Sequence, residues 1–219
     1  MRILYGFFNA QTSTRNRMMK LFSRILICSV WLLLIGVGVF AMQKYSMTPA
    51  LPGIAPQQWP ASPSLKMIEG KPALVMFAHP KCPCTRASLS ELSRIVSNRQ
   101  DRVMAIVVFM NYATEQNSWD HTNLWDQAVS IPGVQVVSDE QGELSHRFGA
   151  VCSGETYFFD SKGNLAFHGG ITSSRGHEGD NSGHDAIVSL IQGYATETPT
   201  HPVFGCSLKC LHSHQEETL

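Results

Sequence analysis

Two cysteines separated by a single proline carry the strongest chemical signal in the sequence. Cys82 and Cys84 flank Pro83, directly after an apolar run and at the predicted start of a helix. Thiols at a helix N-terminus face unpaired backbone N–H groups and the positive end of the helix dipole, and both favour the thiolate. Pro83 suits the first helical turn, where no N–H is needed. We therefore predict that Cys82 is an exposed nucleophilic thiolate and that Cys84 is its resolving thiol.

Three more side chains are predicted to assist these thiols. Lys81 places a positive charge beside them, and His79 is able to exchange protons or bind a metal. If the glycine-rich loop of residues 169–183 folds over the carboxyl end of the sheet, Arg175 and His177 approach Cys82. Functional loops of this kind often lie on rigid scaffolds. The predicted catalytic set is Cys82, Cys84, Lys81, His79 and Arg175.

The same loop has a purely structural interpretation. In that case it is solvated, and Asp180 or Asn181 caps the last helix with a side-chain oxygen. The loop follows a strand without the pattern of a phosphate-binding loop, so no nucleotide site is predicted.

The remaining cysteines leave an odd number of thiols outside the predicted membrane segment. Cys206 and Cys210 join Cys82, Cys84 and Cys152 to make five. An odd number implies a free thiol, an intermolecular bridge or a metal ligand. We predict that Cys206 is a resolving partner or third sulfur ligand of the Cys-Pro-Cys site, and a structural tail cysteine is the alternative. Cys152 is expected to be a small buried residue.

Copper binding is the main alternative function. Cys82, Cys84, Cys206 and His79 offer soft and borderline ligands that suit this metal. The redox hypothesis requires no cofactor, whereas the alternative makes the protein a copper-binding or chaperone module. His212 and His214 are weaker metal candidates, because they lie near a chain terminus.

Apolar runs and helical patterns alternate beyond residue 64 in the order β-α-β-α-β-α-β-β-α. Strands are predicted at residues 73–78, 103–110, 134–137, 156–160 and 165–168. Helices are predicted at residues 83–97, 119–130, 139–148 and 184–194. Buried parallel strands joined by helices, followed by a hairpin, form a layered α/β fold. The pattern predicts an α/β sandwich with a central mixed sheet flanked by helices.

The first 42 residues predict a membrane segment. Residues 25–42 are uncharged and mostly apolar, at the lower end of a membrane-spanning length. Five basic residues and no acid precede them, which places the N-terminus in the cytoplasm. A cleaved signal peptide is the alternative, because residues 39–41 resemble a cleavage site. Either way the domain is exported to a compartment that tolerates disulfides.

The predicted organisation has five parts. Residues 1–24 are a basic cytoplasmic N-terminus, 25–42 the anchor or signal, 43–63 a Pro-rich extended tether, 64–196 the folded domain and 197–219 a Cys/His-containing tail. Without the five N-terminal bases, the chain has 12 basic and 17 acidic residues. This balance excludes a basic nucleic-acid surface, and no nucleic-acid partner is expected.

The sequence resembles the thioredoxin-like superfamily in two places. Residues 74–92 look like that family's strand, active-site turn and helix, and residues 156–164 look like its later strand and turn. The resemblance covers about residues 64–195 and implies a thioredoxin-like sandwich with thiol–disulfide activity. Two features depart from it. Only one residue separates the cysteines, and Ser153-Gly154-Glu155 stands where the family has a cis-proline that helps it accept a polypeptide.

Three segments also resemble bacterial membrane-anchored thioredoxin-like proteins sometimes labelled RedB. The matching segments are residues 79–84, 169–181 and 203–206. This resemblance implies a single-pass protein of the bacterial inner membrane with its C-terminal domain in the periplasm. The expected partners are protein thiols or disulfides, including membrane respiratory or assembly proteins.

Overall fold

The protein is described by a computed structural model over residues 2–51, 53–111 and 122–208, with side chains from residue 17 onward. The helices are α1 (Arg2–Met47), α2 (Pro83–Val96), α3 (Asn123–Val129), α4 (Glu143–Phe148) and α5 (Ser182–Ile191). The strands are β1 (Ala73–Ala78), β2 (Met104–Asn111), β3 (Val134–Glu140), β4 (Thr156–Phe159), β5 (Leu165–Gly169) and β6 (Thr200–His201). The predicted order of elements is confirmed over the described residues, and β6 is added to it.

The strands form one mixed sheet in the order β3-β2-β1-β4-β5-β6. β1 is parallel to β2, and β2 is parallel to β3, since helices make the connections between them. β4 is antiparallel to both β1 and β5. β6 is parallel to β5 and only two residues long, so no sequence pattern predicts it. β1 therefore lies in the middle of the sheet, and its carboxyl end leads into the Cys-Pro-Cys turn.

Both faces of the sheet are covered, because β1 is fully buried and β2 nearly so. On one face, Leu89 and Leu92 of α2 pack in the same cluster as Leu74 of β1. On the other face, Phe148 of α4 lies 5.3 Å from Phe77 of β1, measured between ring centroids. This packing fixes β1 and α2, the two elements on either side of the cysteines.

The chain divides into two units, Met1–Tyr45 and Ser46–Leu219. In the first, α1 is a single helix that extends beyond the predicted segment of residues 25–42 at both ends. The side chains of its apolar stretch are exposed. By length and composition, the 31 residues Arg17–Met47 suffice to cross a membrane.

Part of the Pro-rich segment predicted as a tether packs within the second unit. The Ala50 N–H donates to the Val203 carbonyl at 2.8 Å. The ring of Trp59 lies edge-on to Phe148, with the centroids 5.2 Å apart. Prolines keep this chain extended, and an extended chain pairs readily with other extended backbone. The folded unit therefore includes residues that the sequence pattern treats as a spacer.

Candidate active site

The Cys-Pro-Cys turn connects β1 to α2. Cys82 is the N-cap residue of α2, with extended backbone angles (φ −87°, ψ 120°), and Pro83 lies in the first helical turn. The Cys82 N–H donates to the His79 carbonyl at 3.2 Å, and the Thr85 N–H donates to the Cys82 carbonyl at 3.1 Å. The His79 ring closes the same turn, since its Nδ1 accepts the Lys81 N–H at 3.0 Å. Cys82 thus lies at the start of α2, as the sequence predicts.

A loop before β4 forms a corner that faces this turn. The Ser153 hydroxyl accepts the His79 N–H at 3.0 Å and lies 2.8 Å from the Thr85 hydroxyl. Gly154 has a φ of +87°, and its N–H donates to the Phe77 carbonyl at 2.7 Å. Glycine adopts this left-handed conformation without a steric cost. The corner is therefore bonded both to the turn and to β1.

The tail segment, residues 203–208, lies against the corner and carries a third cysteine. The Ser153 N–H donates to the Cys206 carbonyl at 2.8 Å, as part of a short antiparallel pairing between corner and tail. Cys206 Sγ lies 2.8 Å from Cys82 Sγ. The fold thus brings together two sulfurs that are 124 positions apart in the chain. The structure thus places Cys206 beside the Cys-Pro-Cys turn, as predicted for either a resolving partner or a third sulfur ligand.

Gly205 and Arg175 hold the tail segment in place. A Cβ atom at Gly205 would lie 1.8 Å from the Ser153 carbonyl oxygen, so a side chain at this position would displace the segment. The Arg175 guanidinium donates to the Gly205 carbonyl, and its charge also acts on the Cys84 thiol. Arg175 therefore lies at the sulfur cluster, as predicted, whereas His177 is exposed and bonds to the Arg175 carbonyl.

The three sulfur residues differ in their exposure to solvent. Cys82 is only 1% exposed and Cys84 9%, whereas Cys206 is half-buried. The prediction of an exposed Cys82 is wrong, because the tail segment covers it. An open depression of about 490 Å³ borders Cys82, with Lys81, Pro83 and Leu124 among its lining residues.

Hydrogen bonds tune Cys82 toward the thiolate. Burial alone would raise its pKa, but hydrogen bonds lower it below the ordinary value of 9.0. The Cys206 side chain contributes most, followed by the backbone N–H groups of Cys206, Cys84 and Thr85. The last two groups belong to the first turn of α2, where a helix leaves its N–H groups unpaired. The predicted effect of the helix N-terminus is thus present, and Cys206 adds to it.

The pKa values of the neighbouring thiols are shifted in the opposite direction. Burial raises the pKa of Cys84, and the adjacent Cys82 raises it further, against the opposing charge of Arg175. Burial and the hydrogen bond to Cys82 raise the pKa of Cys206 to about 12. Burial and the charge of Glu155 raise the pKa of Cys152 to about 12. Of these four thiols, Cys82 alone is favoured as a thiolate.

The binding of copper stays a prediction. Burial and the charge of the exposed Lys81 lower the pKa of His79, whose Nδ1 is engaged in the turn. Within the described parts of the chain, no group of three or more His, Cys, Asp or Glu side chains is placed to hold a metal ion. The predicted ligands were Cys82, Cys84, Cys206 and His79. Cys210, His212 and His214 lie outside the described residues.

The glycine-rich loop is anchored to α2 by Glu91, a fully buried carboxylate. Its Oε1 accepts the Gly179 N–H at 2.7 Å, and its Oε2 lies 3.0 Å from Nδ1 of His184 in α5. Asn181 caps α5, because its side-chain oxygen accepts the His184 N–H at 2.9 Å. The two interpretations of the loop are therefore compatible: it caps a helix and it delivers Arg175 to the sulfurs.

A second buried carboxylate, Glu155, accepts hydrogen bonds from the backbone of the corner and of the segment around Gly53. It accepts the N–H groups of Val151 at 2.8 Å, Cys152 at 3.1 Å and Gly53 at 2.9 Å, and it lies 2.7 Å from His168 Nε2. Burial would raise its pKa, but these bonds, led by the one from His168, lower it below the ordinary value. Sequence reasoning missed this group. A carboxylate directly before a predicted buried strand is the signal that marks it.

A model of the AhpC/TSA family matches residues 55–168, which is more than half of the chain. The chain therefore belongs to this family, and its predicted membership of the thioredoxin-like superfamily is confirmed. The narrower resemblance to proteins labelled RedB stays a prediction. A comparison with curated proteins gives no significant match.

Solved structures support the same fold. An uncharacterized conserved protein from Geobacillus kaustophilus is 20% identical, covers 76% of this chain and 98% of its own, and superimposes with a TM-score of 0.60. A hypothetical protein from Sinorhizobium meliloti is 16% identical, covers 75% of this chain and 97% of its own, and has a TM-score of 0.55. These similarities confirm the predicted thioredoxin-like α/β sandwich.

Proposed function

We propose that this member of the AhpC/TSA family is a thiol–disulfide oxidoreductase in which Cys82 and Cys206 form and break a disulfide. The observation that carries the proposal is the 2.8 Å distance between their sulfurs, at the N-terminus of α2. Thiol–disulfide exchange begins with a thiolate, and Cys82 is the thiol whose pKa is lowered.

The net reaction moves two electrons between these cysteines and the cysteines of a partner protein. In one direction, the Cys82 and Cys206 thiols lose two protons and two electrons and become a disulfide. The partner disulfide gains the same protons and electrons and becomes two thiols. The reverse reaction oxidises a partner dithiol, and the relative reduction potentials decide which direction prevails. No cofactor is needed.

Cys206, rather than Cys84, is the proposed partner of Cys82. A bridge between Cys82 and Cys84 would span one residue and close a small ring, which strains the disulfide. Cys206 comes from a distant segment and meets no such constraint. Cys84 then takes no part in this disulfide and stays a thiol. Burial and Cys82 raise its pKa, and the charge of Arg175 offsets part of that increase.

The proposed location is the bacterial inner membrane, with the folded unit in the periplasm. Support comes from the long apolar helix and from the five basic residues and no acid among residues 1–24. A disulfide exchanger in this position would act on protein thiols or disulfides near the membrane, including those of respiratory or assembly proteins. An oxidising compartment is also where such a disulfide persists.

The test is a redox titration of the full chain in detergent micelles. The protein is equilibrated in glutathione buffers, alkylated and digested, and disulfide-linked peptides are identified by mass spectrometry. We expect a single major link between Cys82 and Cys206 that appears as the buffer becomes more oxidising. If Cys82 alkylates no faster than Cys152 and no such link forms, the proposal is wrong.

The same titration tests the copper alternative. It is repeated with Cu(I) added to the reduced chain, and bound metal is measured. Stoichiometric binding that is lost in Cys84→Ser, without disulfide exchange in the wild type, would favour copper. Exchange that continues in the absence of metal supports the redox function.

A further inference from the structure

The open depression beside Cys82 is positively charged, whereas most of the chain is acidic. The lining residues that the structure describes include two exposed cations, Lys81 and Arg86, and no acid. Without the five N-terminal bases, the chain has 12 basic and 17 acidic residues, so this positive region contrasts with its surroundings. On the basis of the proposed function, we propose that the depression binds an acidic polypeptide segment of the partner, in which aspartate or glutamate residues flank the cysteine that exchanges with Cys82.

The position of the two cations supports this assignment. Cys82 is itself one of the lining residues, although only 1% of it is exposed. Lys81 directly precedes it, and Arg86 follows it by four positions, which is about one turn of α2. Both cations therefore line the same depression as the thiol that begins the exchange.

The charge of Arg86 is available to a partner. Within the described parts of the chain, no hydrogen bond or ion pair engages its side chain, which is exposed. Two nearby arginines differ, since Arg94 pairs with Glu91 at 3.0 Å and Arg99 donates to the Ile95 carbonyl at 2.9 Å. A guanidinium forms strong paired hydrogen bonds with a carboxylate. Arg86 is therefore suited to bind a carboxylate that the partner supplies.

The other lining residues are suited to a polypeptide. Pro83 and Leu124 contribute apolar surface, and Thr122 and Asn123 contribute polar atoms at the start of α3. The volume of about 490 Å³ lies within the range of about 300–1,000 Å³ that is typical of ligand sites. An open depression of this size can hold the few residues on either side of a cysteine while the rest of the partner stays outside.

The acidic flanks promote docking and take no part in the exchange itself. The Cys82 thiolate bonds to one sulfur of the partner disulfide, and the other partner sulfur leaves with the electron pair. Cys206 then loses its proton and attacks Cys82 Sγ, and the first partner sulfur leaves as a second thiolate. The partner has gained two electrons, and Cys82 and Cys206 have become a disulfide. Opposite charge on the partner raises the rate of encounter, and salt weakens this effect.

Peptides that differ only in the charge beside one cysteine are suitable probes. The cysteine is linked to thionitrobenzoate, and its neighbours are glutamates, lysines or serines. The reduced full chain, in micelles of an uncharged detergent, is mixed with each peptide, and the release of coloured thionitrobenzoate gives the rate. Arg86→Glu is compared with Arg102→Glu, which makes the same change of charge at an exposed position before β2. The N-terminal bases are present in every variant, so any attraction that they exert cancels in this comparison.

We expect the wild type to react about five- to tenfold faster with the glutamate peptide than with the lysine peptide at low salt, and this preference should decrease as salt is added. Arg86→Glu should abolish or reverse the preference, whereas Arg86→Lys and Arg102→Glu should keep it. Equal rates in the wild type, or a preference that survives in Arg86→Glu or is lost equally in Arg102→Glu, overturn the inference and leave the redox function intact. If even the serine peptide fails to react and no link between Cys82 and Cys206 forms, the proposed function is wrong as well.

Discussion

The two segments that bring Cys82 and Cys206 together are held by different kinds of contact. The Cys-Pro-Cys turn is held largely by its neighbours in the chain, since β1 precedes it, α2 follows it and the His79 carbonyl accepts the Cys82 N–H, while the Ser153 hydroxyl adds one distant contact. The tail segment is fixed from a distance, by backbone pairing with the corner, by the glycine that permits it and by Arg175. One half of the site is local and the other is assembled by tertiary contacts.

Because of this difference, the pKa of Cys82 and the placement of Cys206 beside it depend on different contacts. The N–H groups of Cys84 and Thr85 belong to α2, so part of what lowers the pKa of Cys82 comes from the turn and not from the tail segment. The second sulfur depends on a few long-range contacts, each of which a single substitution can remove. Variants in the two segments should therefore fail in different ways.

The largest effect is expected when the Cys-Pro-Cys turn loses the Cys82 sulfur. Cys82→Ser should abolish disulfide exchange, a loss of at least about 100-fold in rate, because no other thiol in the cluster has a lowered pKa. The measurement is reduction of a disulfide-containing protein substrate by the full chain. Cys28→Ser, which changes a thiol in α1, is the matched control and should retain the wild-type rate. Substantial exchange without Cys82 would contradict the assignment.

A smaller effect is expected when the tail segment is displaced but all the cysteines are kept. In Gly205→Ala the new Cβ would meet the Ser153 carbonyl, so the tail segment should move away from the corner. We expect the yield of the Cys82–Cys206 link at a fixed redox poise to fall about tenfold, since the sulfurs no longer meet. Alkylation of Cys82 by a bulky maleimide should become faster.

Gly193→Asn is the control for this variant. Gly193 has a φ of +88° and open space around it, and asparagine tolerates that conformation better than most residues. It should leave both the link and the alkylation rate unchanged. A wild-type link yield in Gly205→Ala would mean that the tail is not held by this close approach.

Arg175 joins the two halves, and its removal is expected to have a moderate effect. Arg175→Ala should slow formation of the link by about three- to tenfold, because the Gly205 carbonyl loses a charged donor. It should also raise the pKa of Cys84 further, since the charge of Arg175 lowers it. Arg175→Lys is the matched variant. It keeps the positive charge, so it should bring the pKa of Cys84 close to its wild-type value, whereas the rate of link formation should recover less. Unchanged alkylation of Cys84 across pH in both variants would contradict this role.

The smallest effect concerns the pH dependence of Cys82 alone. Its alkylation rate should reach half-maximum below pH 9.0, because its pKa is lowered in the folded protein. Cys206→Ala should shift that midpoint upward, since the side-chain hydrogen bond from Cys206 is removed. Cys206→Ser keeps a hydroxyl donor and should shift it less. A midpoint unaffected by either substitution would show that the turn sets the acidity by itself.

The same division explains what the sequence predicts and what it does not. Apolar runs and helical periodicity determine β1 and α2, so the position of Cys82 at a helix N-terminus follows from local pattern. The proximity of Cys206 is a reasonable prediction from cysteine count, but its contact with Cys82 depends on non-local pairing that no periodicity encodes. The predicted exposure of Cys82 fails for the same reason, because the covering segment lies 124 positions away.

Buried polar groups are the other features that local pattern does not predict. Glu91 lies on a helix where a charged residue is normally solvated, yet it is fully buried because α5 and the glycine-rich loop supply its partners. The segment around Trp59 has no apolar periodicity, and its packing depends on the shape of a distant aromatic cluster. Such positions are determined by complementarity between remote segments.

The hydrogen bonds of Glu155 determine how the protein should respond to acid. One carboxylate joins the chain at Gly53, the corner at Val151 and the imidazole of His168, so a proton on this group would weaken three attachments together. Its pKa in the folded protein lies below the ordinary value of 4.5, so its stabilisation is complete above that pH and is lost only as the pH falls through the lower folded value. The corner that supports the cysteines should therefore keep its shape in mildly acidic surroundings and lose this support progressively as the pH falls further.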